Sequence, residues 1–384
     1  MTLAFNQRIR QALDDRKQSD LFRSVQTLEG GNQPVFQNNG QRFHNFSSND
    51  YLGLASSDEL KSCYQRAVSE LGVGSGASPL VTGYSNQHHS LELALTEWLG
   101  YEGALFFSSG FAANQAAVFA LLKKGDLLIQ DRLNHASLME AGALCDADMK
   151  RYRHCDNDHL ATLLQTDKPT MAVTESVFSM DGDIADLDTF ISACQQAGAL
   201  SMIDDAHGLG VIGEQGNGAI GCTAQRVDIL VVTFGKAFGL NGAAILCSKE
   251  MKEYLTQFAR HYVYSTAFSA AHAVTITKAI EMIQTQHWRR EKLSELGAVY
   301  DEVLQSAPGY ISTQTPIKPW LVGGEEQVLR LCNALKQEQI WTTAIRPPTV
   351  PKGSARLRIT LSATHDIEAV EQLATSLKRH SEGC

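Results

Sequence analysis

The chain has 384 residues, 43% of them hydrophobic, which is enough for two or three domains around a large core. Its 33 Lys and Arg against 42 Asp and Glu give a net charge of −9 with no block of like charge, which argues against nucleic acid or a membrane surface as a partner. The eight cysteines lack C-x-x-C pairs and dense spacing, so we expect reduced, mostly buried thiols in a cytoplasmic protein.

The N-terminal segment, residues 1–21, places Phe5, Ile9 and Leu13 at helical spacing among charged residues. This pattern predicts an amphipathic helix and not a secretory signal, which would need a continuous apolar core. The long uncharged stretch at 103–122 is interrupted by polar side chains that lipid could not satisfy, so it predicts a buried segment and not a membrane span.

Short apolar runs alternate with helical periodicity between about residues 100 and 250. Most of these runs are apolar on both faces and are separated by helix-length segments, which predicts a mainly parallel sheet covered by helices on both sides. The seven predicted strands are 104–107, 127–130, 150–153, 171–174, 200–203, 229–233 and 243–247.

The rhythm changes after about Arg290. A long charged helix is followed by strand-like segments at 317–322 and 356–360 around a helix near 328–339, which predicts a smaller α+β domain joined by the N-terminal segment. The predicted division is an N-terminal helix and segment over 1–45, a large α/β domain over 46–290 and a small domain over 291–384.

Two of the predicted strands run directly into ionisable residues. The strand at 200–203 is followed by Asp204, Asp205 and His207, and the strand at 229–233 by Lys236. Taken singly, such a residue is more often a cap or a solvated group. Because the carboxyl ends of parallel strands form the edge where α/β proteins bind ligands, Asp204, His207 and Lys236 are expected to converge there.

Three other kinds of site fit this part of the sequence less well. No H-x-x-x-H pair or further cluster completes a metal site around Asp204 and His207, and no metal is predicted. The run 208–213 matches the dinucleotide fingerprint G-x-G-x-x-G but continues as loop where a helix is required. The pair Gly235-Lys236 lacks the upstream glycine and the following Ser or Thr of a P-loop.

A lysine, an acid and a histidine together suit pyridoxal phosphate. Lysine forms a Schiff base with this cofactor, and an aspartate keeps the pyridine nitrogen protonated so that the ring can act as an electron sink. The cofactor also needs a phosphate cradle, and Ser108, Ser109 and Gly110 offer one between a strand and an Ala-rich helix. Alone this is merely a strand-to-helix turn, but beside Asp204 and Lys236 it supports the cofactor.

Six ordered motifs extend this pattern along nearly the whole chain. They are Asn45-Phe-Ser-Ser-Asn-Asp-Tyr-Leu-Gly53, Gly74-Ser-Gly-Ala-Ser-Pro-Leu-Val-Thr-Gly-Tyr84, Asp131-Arg-Leu-Asn-His-Ala-Ser137, Glu175-Ser-Val-Phe-Ser-Met-Asp-Gly182, Asp204-Asp-Ala-His-Gly208 and Thr233-Phe-Gly-Lys236. Together they resemble the pyridoxal-phosphate-dependent α-oxoamine synthases. The resemblance implies an aspartate-aminotransferase-like, fold type I enzyme with a mainly parallel seven-stranded sheet in its large domain and a smaller α+β C-terminal domain.

The resemblance also implies a role for each matching residue. Lys236 would carry the cofactor and Asp204 would pair with its pyridinium nitrogen, while His207 and Ser179 would bond the phenolic oxygen side. His135 would stack on the ring face, with a helix-start cap as the alternative. The remaining implied residues are Gly110, Phe111 and Thr233 for the phosphate, Ser265 and Thr266 for the phosphate of a neighbouring subunit's cofactor, Asn49 and Arg358 for the amino-acid carboxylate, and Arg23 and Thr349 for the acyl substrate.

Within this family, the segments 343–351 and 356–360 look most like the members that condense L-alanine with a pimeloyl thioester and release CO2. The thioester carrier is left open between coenzyme A and acyl carrier protein. The alternative is a ligase that uses glycine and acetyl-CoA. A non-enzymatic homologue would lack Lys236 or Asp204, and both are present. The resemblance further implies a cytoplasmic homodimer.

Overall fold

The computed structural model describes residues 3–19 and 21–381. Its helices are α1 (Leu3–Gln18), α2 (Asp58–Leu71), α3 (Asn86–Leu99), α4 (Gly110–Leu121), α5 (Ala136–Leu144), α6 (Asn157–Leu163), α7 (Leu187–Ala197), α8 (Lys249–Phe258), α9 (Arg260–Val263), α10 (Ala270–Thr285), α11 (Trp288–Leu304), α12 (Glu325–Gln337) and α13 (Ile367–Ser381). Its strands are β1 (Val35–Asn38), β2 (Gln41–Asn45), β3 (Gly103–Phe107), β4 (Leu127–Asp131), β5 (Asp148–Tyr152), β6 (Thr170–Glu175), β7 (Leu200–Asp204), β8 (Ile229–Thr233), β9 (Ala243–Cys247), β10 (Ile317–Gly323), β11 (Ile340–Trp341), β12 (Thr343–Ile345) and β13 (Ala355–Thr360).

Seven strands form one central sheet in the order β3-β9-β8-β7-β6-β4-β5. Strand β9 runs antiparallel to both of its neighbours, and the pairings from β8 through β5 are parallel. This confirms the predicted mainly parallel seven-stranded sheet. All seven predicted strands are present, and none of their ends lies more than two residues from its predicted position.

Alternating side chains of the parallel strands pack on opposite faces of the sheet. Ile129, Ile203 and Val232 belong to one buried cluster. Their chain neighbours Leu128, Met202 and Val231 belong to a second cluster on the other face. Burial on both faces explains why these strands are continuous apolar runs with no polar alternation.

The C-terminal part builds a second, smaller sheet of β10, β13 and β12, in which all pairings are antiparallel. The N-terminal hairpin of β1 and β2 is joined to this part because β11 pairs in parallel with β2, placing Ile340 opposite His44. The predicted junction of the N-terminal segment with the C-terminal part is therefore present. The predicted domain boundaries at residues 45 and 290 stay a prediction.

Helix α1 forms within the segment predicted to be an amphipathic helix. Its apolar side chains Phe5, Ile9 and Leu13 are 53%, 44% and 45% exposed. No described helix is long and apolar enough to cross a membrane. The stretch predicted to be buried, 103–122, forms β3 and α4.

The seven cysteines within the described ranges are free thiols. Cys63, Cys194 and Cys247 are buried, whereas Cys155 and Cys222 are exposed. The expectation of mostly buried thiols therefore holds for only part of the set. Cys384 lies outside the described residues.

Candidate active site

A cleft of about 300 Å³ opens at the carboxyl edge of the central sheet. It brings together eight of the predicted site residues, namely Asn49, Gly110, Phe111, His135, Asp204, His207, Thr233 and Lys236. Strand β7 ends at Asp204 and strand β8 ends at Thr233, both at this edge. The turns that follow these strands contain His207 and Lys236. The predicted convergence of acid, histidine and lysine is therefore confirmed.

The first turn of α4 forms one end of the cleft. Ser109 caps this helix, because its side chain accepts a hydrogen bond from the Ala112 N–H at 3.2 Å. A Cβ on Gly110 would lie 2.6 Å from the Thr233 Cγ2, so the close approach of α4 to the end of β8 requires glycine. Free N–H groups and the positive end of the helix dipole make this turn an anion site.

Asp204 is held in one orientation by two hydrogen bonds. Its Oδ2 accepts from Asn114 Nδ2 at 2.7 Å, and its Oδ1 accepts from the Ala206 N–H at 3.0 Å. Asn114 lies one turn into α4, so the helix that forms the anion site also positions the acid. Sequence reasoning missed Asn114 because an asparagine within an Ala-rich helix carries no motif.

A chain of hydrogen bonds runs from Lys236 across the floor of the cleft. Lys236 Nζ lies 2.8 Å from His207 Nε2, and His207 Nδ1 lies 2.6 Å from the Tyr51 hydroxyl. Arg358 Nη2 donates to the same hydroxyl at 3.3 Å. Both ring nitrogens of His207 are therefore engaged, and the ring cannot turn without breaking both contacts.

Burial sets the charge states along this chain. Burial lowers the pKa of Lys236 to about 8, while the carboxylate of Asp204 opposes that shift. Burial, followed by the positive charges of Lys236 and Arg358, holds the pKa of His207 well below its ordinary value. The imidazole of His207 is therefore neutral and lies beside an amine that loses its proton near physiological pH.

His135 takes the helix-start cap position that was the alternative to ring stacking, and the stacking stays a prediction. It lines the cleft, and it is also the N-cap of α5, where its Nδ1 accepts from the Ser137 N–H at 3.3 Å. Its backbone N–H donates a short hydrogen bond to Glu175. Burial, with the Asp204 charge next, raises the pKa of Glu175 well above its ordinary value, which favours the protonated form of this unpredicted cleft residue.

Arg358 contacts Asn49, which lines the cleft, but Arg358 is not itself part of the lining. Arg358 Nη1 donates to Asn49 Oδ1 at 2.9 Å, and Arg358 Nε donates to the Ser179 carbonyl at 2.5 Å. The side chain of Ser179 does not line the cleft. It lines an adjoining cavity of about 230 Å³ together with Thr349.

Besides Ser179 and Arg358, four predicted residues lie outside the lining of the cleft of their own chain. Arg23 and Thr349 share a cavity of about 760 Å³ beside β11 and β12. Ser265 and Thr266 line a narrow pocket with Tyr84 and His88. Their roles, like the role of Ser179, stay predictions.

Comparisons with known proteins agree with this geometry. Residues 42–377 match the family model described as aminotransferase class I and II. A protein of Vibrio atlanticus (strain LGP32) named 8-amino-7-oxononanoate synthase is 55% identical over 375 residues, which cover 97% of this chain and 93% of that protein.

Two solved structures share the fold over most of their length. Serine palmitoyltransferase of Sphingomonas wittichii is 26% identical with a TM-score of 0.91, covering 100% of this chain and 99% of that one. An 8-amino-7-oxononanoate synthase of Francisella tularensis is 27% identical with a TM-score of 0.77, covering 88% of this chain and 97% of that one. Together with the match over residues 42–377, they confirm the predicted family and fold. The chain belongs to the aminotransferase class I and II family, in the group of the 8-amino-7-oxononanoate synthases.

Proposed function

We propose that this chain catalyses the decarboxylative condensation of L-alanine with a pimeloyl thioester, giving 8-amino-7-oxononanoate, CO2 and the free thiol carrier, as a step of biotin biosynthesis. The observation that carries the chemistry is the contact of 2.8 Å between Lys236 Nζ and His207 Nε2, in a cleft that also holds Asp204. The choice of substrates rests on the 55% identity to the Vibrio protein.

The cofactor is pyridoxal phosphate, and the cleft fits it. Asp204 offers a buried carboxylate to the pyridinium nitrogen, the first turn of α4 offers N–H groups to the phosphate, and Lys236 offers an amine to the aldehyde. The side chain of Thr233, whose close approach makes Gly110 necessary, lies at the same end of the cleft. When bound, the cofactor supplies an electron sink for negative charge on the substrate α-carbon.

Lys236 has two tasks in this proposal. Its amine would hold the cofactor, and its Nζ, when free, would accept the proton from the alanine α-carbon. The neutral amine is required for proton abstraction, and burial supplies it by lowering the pKa of Lys236 to about 8. His207 orients this amine through its Nε2.

The carboxylate of alanine is bound by Arg358 and Asn49. Arg358 is nearly buried, and its guanidinium is already fixed by Asn49 Oδ1 and the Ser179 carbonyl. A planar guanidinium fits a carboxylate with two parallel hydrogen bonds. Because the site is preorganised, little side-chain entropy is lost when alanine binds.

The acyl chain is assigned to Arg23 and Thr349, which share the large cavity beside β12. The carrier is coenzyme A or acyl carrier protein. The glycine and acetyl-CoA alternative is not favoured, because the Vibrio and Francisella proteins bear the name 8-amino-7-oxononanoate synthase.

A cytoplasmic homodimer completes the proposal. Ser265 and Thr266 line a pocket that shares Ser108 with the Lys236 cleft, but they do not line that cleft themselves, which supports their assignment to a neighbour. Light scattering at working concentration tests this, and a monomer that still turns over would contradict shared sites.

A panel of amino acids and acyl thioesters, followed by the release of free thiol, tests the substrates. L-Alanine with pimeloyl-CoA or pimeloyl acyl carrier protein should give the highest rate. The extra methyl of alanine over glycine is worth about 1–3 kcal/mol in a fitted pocket, or roughly 10-fold to 200-fold in kcat/KM. Equal or faster turnover with glycine and acetyl-CoA would overturn the substrate assignment and leave the cofactor chemistry intact.

A further inference from the structure

The cavity of about 230 Å³ beside the candidate active-site cleft touches both spaces that are assigned to substrates. Ser179 lines this cavity, and its carbonyl accepts a hydrogen bond from Arg358, which in turn donates to Asn49 of the cleft lining. Thr349 lines this cavity and also the large cavity assigned to the acyl donor. Part of an acyl donor that occupies the large cavity can therefore extend into the smaller one.

The lining of the smaller cavity combines an apolar wall with a few charged groups. Five apolar side chains contribute to it, namely Leu133, Phe178, Met180, Val350 and Pro351. The charged residues of the lining are Arg132, Asp181 and Arg356. An apolar wall suits methylene groups, whereas charged groups in a cavity need a partner of opposite charge or water. The lining therefore fits a ligand that is apolar along its length and charged at one end.

The charged groups of this lining leave one positive charge uncompensated. Arg356 forms an ion pair with Asp181 through its Nη1, and its Nε donates to the Ser354 carbonyl at 3.1 Å. Within residues 3–19 and 21–381, the guanidinium of Arg132 makes no hydrogen bond or ion pair. Two guanidinium groups and one carboxylate give the lining a net charge of one positive unit. A single carboxylate on the ligand would balance it.

The backbone at Arg132 is fixed, although its side chain is exposed. The Arg132 N–H donates to the Tyr152 carbonyl at 3.1 Å. The preceding residue, Asp131, is fully buried, and its carboxylate accepts from the N–H groups of Leu133 and Cys155, each at 2.8 Å. No backbone ordering is therefore needed when an anion binds, and only the Arg132 side chain loses freedom.

We propose that Arg132 binds the terminal carboxylate of the pimeloyl group in this cavity, and that it thereby selects acyl donors that end in a carboxylate. This inference rests on the proposed function and deepens it, because a pimeloyl thioester has a free carboxylate at the far end of its methylene chain. The methylenes pack against the apolar wall, and the planar guanidinium forms two parallel hydrogen bonds with the carboxylate. Acetyl and palmitoyl groups have no such carboxylate and gain nothing from the Arg132 charge.

Two acyl groups of equal chain length test this assignment. Pimeloyl and heptanoyl groups have the same number of carbons, and only the pimeloyl group ends in a carboxylate. Each is supplied on coenzyme A or acyl carrier protein, whichever the unaltered protein turns over faster, and the released thiol is measured. Arg132→Gln should lower kcat/KM for the pimeloyl donor roughly 10-fold to 100-fold, with a much smaller change for the heptanoyl donor. The loss should appear in KM for the pimeloyl donor and not in KM for alanine.

Two further variants separate this effect from a general loss of charge. Arg132→Lys keeps the charge without the planar fork and should retain part of the preference for the pimeloyl donor. The matched control is Arg151→Gln, because Arg151 is also exposed but lines neither the cleft nor the two cavities. It should keep the preference of the unaltered protein. If the heptanoyl donor binds without turnover, its inhibition constant against the pimeloyl donor takes the place of kcat/KM.

Three results would overturn this inference and leave the proposed function intact. The first is an unchanged preference for the pimeloyl donor in Arg132→Gln. The second is an equal loss with both donors, which would mean that Arg132 contacts the carrier that they share. The third is an equal loss of preference in Arg151→Gln. Absence of thiol release from L-alanine and any pimeloyl thioester in the unaltered protein is a different result, and it would overturn the proposed function together with this inference.

Discussion

The ε-amine of Lys236 is removed from water by folding, and this lowers its pKa to about 8 from an ordinary value of 10.5. Only the neutral amine attacks an aldehyde. The rate at which pyridoxal phosphate attaches to cofactor-free protein should therefore rise about tenfold per pH unit below about 8 and level off above it. Stopped-flow absorbance measures this rate, and Lys236→Ala, which lacks the amine, gives the background signal. A rate that keeps rising up to pH 10.5, the ordinary pKa of a lysine, would contradict the lowered pKa of the buried amine.

Tyr51 is a positioning residue, since its hydroxyl contacts His207 and Arg358. Tyr51→Phe removes about 0.5–1.5 kcal/mol of hydrogen bonding, so kcat/KM for alanine should fall roughly twofold to tenfold. Tyr101→Phe is the matched control, because Tyr101 is a buried tyrosine that donates to the Val227 carbonyl away from the cleft. It should change stability and not kinetics. Equal kinetic losses in both variants would indicate a general effect of losing a buried hydroxyl.

Replacing each of the two buried acids of the cleft by its amide is expected to have opposite effects on kcat. Burial raises the pKa of Glu175 well above its ordinary value and so favours the uncharged acid, which glutamine mimics, and Glu175→Gln should keep kcat within about threefold. Asp204→Asn removes the charge that faces the pyridinium and should lower kcat by about two orders of magnitude or more. Steady-state kinetics decide. A larger loss in Glu175→Gln would mean that Glu175 acts as the ionised partner.

Site residues that follow neighbouring strands could be predicted from the sequence, whereas contacts between residues far apart in sequence could not. Asp204 and His207 share one strand end, and Lys236 follows the next, so topology alone brings them together. The contact between Tyr51 and Arg358 joins residues 307 positions apart and leaves no local pattern. Glu175 was visible only as part of a motif, because its neutral state arises from burial beside Asp204.

At the scale of elements, the first turn of α4 combines a cap with the anion site. Ser109→Ala removes the hydrogen bond to the Ala112 N–H and should cost about 1 kcal/mol of stability, with weaker binding of pyridoxal phosphate. Ser248→Ala removes the equivalent cap of α8, where Ser248 accepts from the Met251 N–H at 3.2 Å. It should cost similar stability with unchanged cofactor affinity. Urea unfolding and titration with pyridoxal phosphate test the two variants. Equal cofactor affinities in both would mean that the phosphate does not bind at the first turn of α4.

The central strands were predictable because burial on both faces makes each one a continuous apolar run. Strands β11 and β12 have two and three residues, so no periodicity could reveal them. Strand β12 lies within the segment 343–351, which was read only as a substrate-specifying segment. The predicted continuation of the run 208–213 as loop is present, since turns and bends occupy 214–216 where a dinucleotide site needs a helix.

At the scale of the whole molecule, the central sheet separates two buried hydrophobic clusters, and the cleft with the candidate catalytic residues lies at one edge of this sheet. The cleft around Lys236 and the large cavity of Arg23 and Thr349 are distinct spaces within one chain. The amino acid is assigned to the first space and the acyl donor to the second. Condensation then requires the thioester carbon to reach the α-carbon of alanine from the second space.

The most direct test of this account follows the carboxyl carbon of alanine. The protein is supplied with L-alanine labelled with carbon-13 at its carboxyl group and with a pimeloyl thioester, and both the product and the released gas are analysed by mass spectrometry. We expect unlabelled 8-amino-7-oxononanoate and one labelled CO2 per thiol released, with neither formed by Lys236→Ala. A product that retains the label, or thiol release without labelled CO2, would contradict decarboxylative condensation at this site.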